Sequence, residues 1–163
     1  MKTLLLLRHG KSSWSDTSLA DHERPLKKRG REAAKRMGQR IRELDLVPDH
    51  ILTSSAVRAV ATAQLVVAEA SFDGEVEVVP VLYHADPSAF VAIASRVPNS
   101  FERVLIVGHN PGLEDWLERL IGHVETFPTA ALAQVELPVD SWLDLSLSTR
   151  GTLKGLWRPK EIP

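Results

Sequence analysis

The sequence predicts an α/β domain built around a largely parallel sheet. Three observations carry that expectation. Short apolar runs alternate with longer segments of helical periodicity, the pattern of successive βα units. Each of the first apolar runs opens directly into a polar loop, as buried strands do at their C-terminal ends. The chain has 163 residues and is 44% hydrophobic, which at roughly 150 residues per domain fits one core, so residues 1–163 are read as a single domain.

Residues 2–7 form the first strand, released into a Ser-rich loop that places Arg8 and His9 at the strand end. Residues 27–42 follow as a basic helix, with Ala33, Met37, Ile41 and Leu44 recurring on one face. Residues 51–53 are a second strand. Ser54 and Ser55 then stand as N-cap residues for a helix with Val57, Val60, Ala61, Leu65 and Ala68 on one stripe, and Arg58 in its first turn. Residues 76–82 read as a third strand. Residues 87–96 read as a short helix opened by Asp86, with Pro87 at its first position. Residues 103–107 give a fourth strand, after which Asn110 is the expected N-cap and Pro111 the first residue of another helix. Residues 131–137 and 142–147 complete the list as two further strands joined by a tight link, and the tail after Arg150 is left unassigned.

Charge and composition narrow the function. The formal net charge is −1, too small for the long-range field that drives nonspecific binding to nucleic acid or anionic lipid. The balance is uneven, however. Residues 1–50 hold 12 basic and 7 acidic side chains, against 8 and 14 in the remainder, so the first third is the anion-attracting part. There is no cysteine, which excludes disulfides, thiolate metal sites and cysteine nucleophiles and leans towards a reducing, cytoplasmic setting. The apolar run at Leu4 to Leu7 is cut by Arg8, far short of the ~20 residues of a membrane span. The six histidines show no paired ligand spacing and no Walker-type glycine loop is present, so neither a metal nor a nucleotide cofactor is expected.

Three strand ends offer one kind of group: Arg8 and His9 after the first strand, Arg58 after the second, and His109 after the fourth. Arginine presents a planar fork of donors suited to phosphate oxygens, and helix N-termini add backbone donors, so convergence of these residues would suit a phosphoryl group. Taken singly, each has an ordinary structural explanation. Taken together with their neighbours they resemble a known family. Leu6-Leu7-Arg8-His9-Gly10 resembles the signature of the histidine phosphatase superfamily, Ser54-Ser55-Ala56-Val57-Arg58-Ala59 its second arginine motif, and Val107-Gly108-His109-Asn110-Pro111-Gly112 its second histidine motif. Within it, the chain is most similar to the small SixA-type phosphohistidine phosphatases, through Arg8-His9-Gly10-Lys11-Ser12-Ser13-Trp14 and Asp21-His22-Glu23-Arg24-Pro25-Leu26.

That resemblance, which runs from residue 3 to about residue 137, implies a phosphoglycerate mutase-like three-layer sandwich. It implies His9 as a nucleophile forming a covalent phosphohistidine, with Arg8, Arg58 and His109 clamping the phosphoryl oxygens, Arg24 as a further phosphate contact, and no metal. Lys11 and Ser12 fall at the rim. Nearby arginines would keep His9 neutral, and a backbone carbonyl is expected to hold its other nitrogen.

The sequence departs from better-known relatives at the proton donor. Mutase-like members carry a glutamate after the third strand, where this chain reads Val81-Leu82-Tyr83-His84-Ala85-Asp86, and acid phosphatases carry an aspartate where Asn110 stands. His84 or Asp86 is the substitute considered first, with Glu114, Asp115 or a water behind them. A weak acid suffices to expel imidazole from a phosphoramidate but not an alkoxide from an ester. The expected substrate is therefore a phosphohistidine-bearing protein. The alternatives are a general phosphomonoesterase acting on a small phosphorylated molecule and a non-enzymatic phosphate- or phosphoprotein-binding module. The four tryptophans are read as packing.

Overall fold

Four consecutive leucines make the first strand, and all four are buried, which requires apolar layers on both sides of it. The computed structural model describes residues 1–163. Its strands are β1 (Lys2–Arg8), β2 (His50–Thr53), β3 (Val76–Val78), β4 (Arg103–Gly108), β5 (Leu132–Leu137) and β6 (Thr152–Trp157), and its α-helices are α1 (Lys28–Glu43), α2 (Val57–Ala70), α3 (Pro87–Ala94) and α4 (Gly112–Ile121). The sheet order is β3-β2-β4-β1-β5-β6. Strands β3, β2, β4 and β1 pair in parallel, and β5 runs against both β1 and β6. One face carries Leu4, Leu6, Val104 and Ile106 against Phe90 of α3 and Leu113, Trp116 and Leu117 of α4. The other carries Leu5, Leu7, Leu105 and Val107 against Met37 and Ile41 of α1 and Ala59, Ala63 and Val66 of α2. Two helix layers thus enclose the sheet, as expected. No helix is long and apolar enough to cross a membrane.

The differences from expectation have local causes. Helix α1 buries Ala34, Met37, Gly38 and Ile41, so the stripe passes through Ala34 rather than Ala33. Helix α2 turns a different face inward: Arg58, Ala59, Thr62, Ala63, Val66 and Ala70 are buried, while Val57, Val60, Ala61 and Leu65 are half-buried and Ala68 is exposed. The helix is apolar nearly all round, so periodicity could not choose a face. Close approach to α1 does, because a Cβ at Gly38 would lie 3.0 Å from Val66 Cα, and only small side chains permit that spacing.

Strand β3 stops early because Val79 donates to the Thr53 carbonyl at 2.8 Å and Pro80 has no N–H to continue the ladder. Pro80–His84 becomes a 3₁₀ turn. Residues 142–147 are not a strand. Trp142–Asp144 is another 3₁₀ turn, and Trp142 and Leu145 are buried with two exposed residues between them, a spacing of three rather than two. The sixth strand lies in the unassigned tail, where Gly155 and alternating exposed residues weaken its signal.

Candidate active site

Strand register builds the site. Arg8 is paired with Gly108, so His9 and His109 leave neighbouring parallel strands side by side. One inter-strand spacing is about 4.8 Å, and the two imidazole centroids are 4.9 Å apart. Thr53 is paired with Val107, which brings Ser54 beside His109, its Oγ 2.7 Å from His109 Nε2. The expected strand-end groups are therefore together, in a cleft of about 430 Å³ that also contains Arg24, Asp21 and His84.

His9 is 7% exposed. Its Nδ1 lies 2.7 Å from the Gly10 carbonyl, which can only accept, so Nδ1 carries the proton and Nε2 keeps its lone pair. Burial, then the charges of Arg58, Arg8 and Arg24, lower its pKa to about 4, against the opposing pull of the Gly10 hydrogen bond. The backbone carbonyl and the neutral imidazole are both as expected. His109 is lowered to about 3 by burial, then by His9 and Arg58. Gly10 is itself held by its N–H to Thr62 Oγ1 at 3.0 Å, and Thr62 donates to the Arg58 carbonyl at 2.8 Å, which ties the loop after β1 to the first turns of α2.

Arg24 and Arg58 are 6% and 7% exposed. Arg58 donates to the Asp21 carbonyl at 2.7 Å and to Asp21 Oδ2 at 3.0 Å. Arg24 donates to Asp21 Oδ1 at 2.7 Å, to the Ser13 carbonyl at 3.1 Å and to Ser12 Oγ. Tyr83 Oη donates to Asp21 Oδ2 at 2.5 Å. These donors, Tyr83 first, hold the Asp21 carboxyl well below the usual range. Arg8 is less committed: it makes one long bond, 3.3 Å, to the Phe127 carbonyl.

Asp86 lies outside the main cleft. It caps α3 by accepting from Ala89 N and Ser88 Oγ at 2.9 Å, and the Ala89 and Ser88 bonds keep it ionised. It lines a smaller neighbouring pocket of about 180 Å³, not the main cleft. His84 does line the cleft, its ring centroid 4.0 Å from that of Tyr83. Glu114 is engaged with Asn110 Nδ2 at 2.9 Å and Phe127 N at 3.2 Å. Asn110 is accordingly no N-cap; α4 starts at Gly112 without a side-chain cap. Nor do Ser54 and Ser55 cap α2, which begins after Ala56; Ser55 Oγ instead meets His22 Nε2 at 2.9 Å.

Sequence reasoning missed Asp21, Tyr83 and Trp14. Trp14 is 72% exposed and lies over the Arg24 guanidinium, 3.1 Å from ring centroid to guanidinium carbon. Asp21 was legible only as the acidic member of the segment containing Arg24, and Tyr83 as the chain's single tyrosine, beside His84. No group of three or more His, Cys, Asp or Glu side chains is arranged to hold a metal ion.

At the C-terminal ends of the adjacent interior strands β2, β4 and β1, two histidines and three arginines line one cleft, a donor set suited to a phosphoryl group. Residues 4–86 match the sequence model of the histidine phosphatase superfamily (branch 1), and the chain belongs to that superfamily. It is 32% identical over 176 residues to an uncharacterised chloroplast protein of Arabidopsis thaliana, covering 97% of this chain and 78% of that one. It is 26% identical over 160 residues to the mitochondrial serine/threonine-protein phosphatase Pgam5 of Drosophila grimshawi, covering 89% of this chain but 55% of that one, so it spans about half the length of such relatives. Among solved structures, SixA of Agrobacterium tumefaciens superposes with a TM-score of 0.83 at 26% identity over 97% of this chain and 98% of that one. A protein histidine phosphatase SixA complexed with tungstate superposes with a TM-score of 0.81 at 23% identity over 97% of both chains.

Proposed function

We propose that the protein is a phosphatase that works through a covalent phosphohistidine on His9 and takes its phosphoryl group from phosphohistidine in proteins. The observation that carries this reading is the pairing of a neutral, oriented His9 with a cleft whose one carboxylate, Asp21, is bound to Arg24, Arg58 and Tyr83. Nε2 of His9 attacks phosphorus as the P–N bond of a ring-protonated phosphohistidine breaks, and the bond's electron pair leaves with the ring as neutral imidazole, which keeps the proton on its other nitrogen. Water then attacks the phospho-His9, inorganic phosphate leaves, and Nε2 regains its lone pair. Arg8, Arg24, Arg58 and His109 hold the transferring oxygens by electrostatic preorganisation. A P–N bond suits this site, because a protonated phosphoramidate needs little acid help to release an amine. The SixA names among the structural relatives agree with it.

A phosphomonoesterase reading draws on His84, which lines the cleft and can pass a proton, and on the serine/threonine-protein phosphatase name of the Pgam5 relatives. Hydrolysis of a phosphohistidine peptide beside p-nitrophenyl phosphate and a sugar phosphate separates the two. A preference for the phosphohistidine peptide supports the proposal. Equal or faster cleavage of the sugar phosphate overturns it and makes His84→Ala the next variant. In either case His9→Ala abolishes turnover, and Arg58→Ala lowers kcat/KM by about 10²- to 10³-fold, the usual cost of one preorganised donor.

A further inference from the structure

A second cavity of about 440 Å³ adjoins the phosphate cleft and shares Arg8, Lys11 and Thr129 with it. Its remaining wall comes from the first turns of α1, at Arg29 and Ala33, from Pro128, and from the turn at residues 158–161. Five cationic side chains line it, Arg8, Lys11, Arg29, Arg158 and Lys160, against one carboxylate, Glu161. That carboxylate is spent on Arg158, which also pairs with Glu125. Lys11, Arg29 and Lys160 are exposed and enter no ion pair.

Two features say that this charge is not incidental. The chain as a whole has a net charge of −1, so the groove is not a sample of a uniformly basic surface. The wall it borrows from α1 also breaks a local rule. Helix N-termini favour acidic residues, because the helix dipole leaves positive potential there. Helix α1 has none in its first turn and opens instead on Lys27, Lys28, Arg29 and Arg31. Charges kept where they cost stability are expected where function uses them.

We propose that this groove is a docking site for an acidic segment adjoining the phosphorylated residue of a protein substrate. The inference rests on the phosphoprotein reading above. With the phosphoryl group between Arg8, Arg58 and His9, the chain on one side of the phosphorylated residue passes Lys11 and enters the groove. Carboxylates a few positions away then face Arg29 and Lys160. The apolar stretches of Ala33, Pro128 and Pro159 accept the backbone between them.

The test uses two readouts. Binding to the His9→Ala protein is measured by fluorescence anisotropy with labelled peptides that carry a stable phosphonotriazole analogue of phosphohistidine. The peptides are flanked by neutral residues, by an acidic tract on the N-terminal side, or by one on the C-terminal side. Turnover by the wild type is measured with the matching phosphohistidine peptides. One acidic peptide is expected to bind about tenfold tighter than the neutral one at low salt, as three weak surface pairs each contribute a factor of ~2 to 3. The advantage shrinks as salt is raised through ~0.5 M, where the screening length is only a few ångströms. The double variant Arg29→Ala/Lys160→Ala keeps only the factor of ~2 to 3 that Lys11 supplies, while hydrolysing p-nitrophenyl phosphate at the wild-type rate, since neither residue lines the phosphate cleft. Equal binding of all three peptides, or an advantage undiminished in the double variant, overturns the proposal. Acidic preference in binding without turnover of any phosphohistidine peptide would instead count against the substrate reading alone, and turnover without acidic preference against the groove alone.

Discussion

In the proposed mechanism His9 must be desolvated enough to stay neutral and still reach phosphorus, and its environment sets a measurable pH limit. With its pKa lowered to about 4, protonation removes the nucleophile only below that value, so kcat/KM falls on an acid limb near pH 4 rather than near the ordinary 6.5. A pH profile with p-nitrophenyl phosphate checks this; a limb at 6.5 would mean that burial and the arginines do not act as described. Stability carries the same sign. Between about pH 6.5 and 4 the unfolded chain binds protons that folded His9 and His109 refuse, so stability declines as pH falls through that window. His9→Gln is expected to flatten part of that slope in thermal unfolding. Asp21 sets a different limit. Its carboxylate occupies donors of both Arg24 and Arg58, so an entering dianion must share those arginines with a fixed negative charge. Asp21→Asn removes the charge and keeps an acceptor, and should lower the inhibition constant of orthophosphate several-fold in a steady-state assay. Weaker inhibition would show that Asp21 matters by holding the arginines in place. Arg8, His9, Arg24, Arg58 and His109 were legible because each lies in a short motif. Asp21 and Tyr83 were not, because their contact spans 62 residues, and although Asp21 shares a segment with Arg24, nothing in that segment shows that it pairs with Arg58 and Tyr83.

At the scale of elements, the sequence located strands through runs of buried aliphatic residues and failed where a backbone rule or a packing distance decided instead. Proline ended β3, and a spacing of three made a 3₁₀ turn of the segment beginning at Trp142. The face of α2 was chosen by proximity to α1, which no single-helix pattern encodes. The junction of α1 with the loop after β1 is equally tight. A Cβ at Gly10 would lie 2.6 Å from the Gly30 carbonyl oxygen, and one at Gly30 would overlap the Lys11 carbonyl oxygen. The same loop is tied down by Lys27 N to the Lys11 carbonyl at 3.0 Å and by Ser13 N to the Pro25 carbonyl at 2.8 Å, and it carries Ser12 against Arg24. Propensity alone would make Gly30→Ala stabilising by up to ~1 kcal/mol in a helix. The contact predicts the opposite, a loss of about 1–3 kcal/mol from overpacking, with a raised KM as the Ser12–Arg24 contact shifts. Urea unfolding read beside p-nitrophenyl phosphate kinetics decides between them.

For the whole molecule, the site exists only because β2, β4 and β1 are adjacent and parallel, so that segments separated by up to a hundred residues open at the same, C-terminal end of the strands. The order in which those strands lie could not be read from the sequence, whereas the kind of group each would deliver could. A site assembled from so many distant segments has no counterpart in the unfolded chain, so an oxyanion binds the native state alone and stabilises it by mass action. At a concentration of tungstate or orthophosphate about 100 times its dissociation constant, the gain is about 2.7 kcal/mol, and the melting temperature should rise by several degrees for a chain of this size. The donors that would meet the anion are guanidinium and imidazole nitrogens, with no carboxylate cluster positioned for a cation. The shift is therefore expected to be the same in excess EDTA and to disappear in Arg58→Ala, whose side chain joins the β2 end of the site to the β1 end. A shift that collapses on chelation would place a metal ion in the binding equilibrium and overturn the arginine-and-histidine account of phosphate recognition.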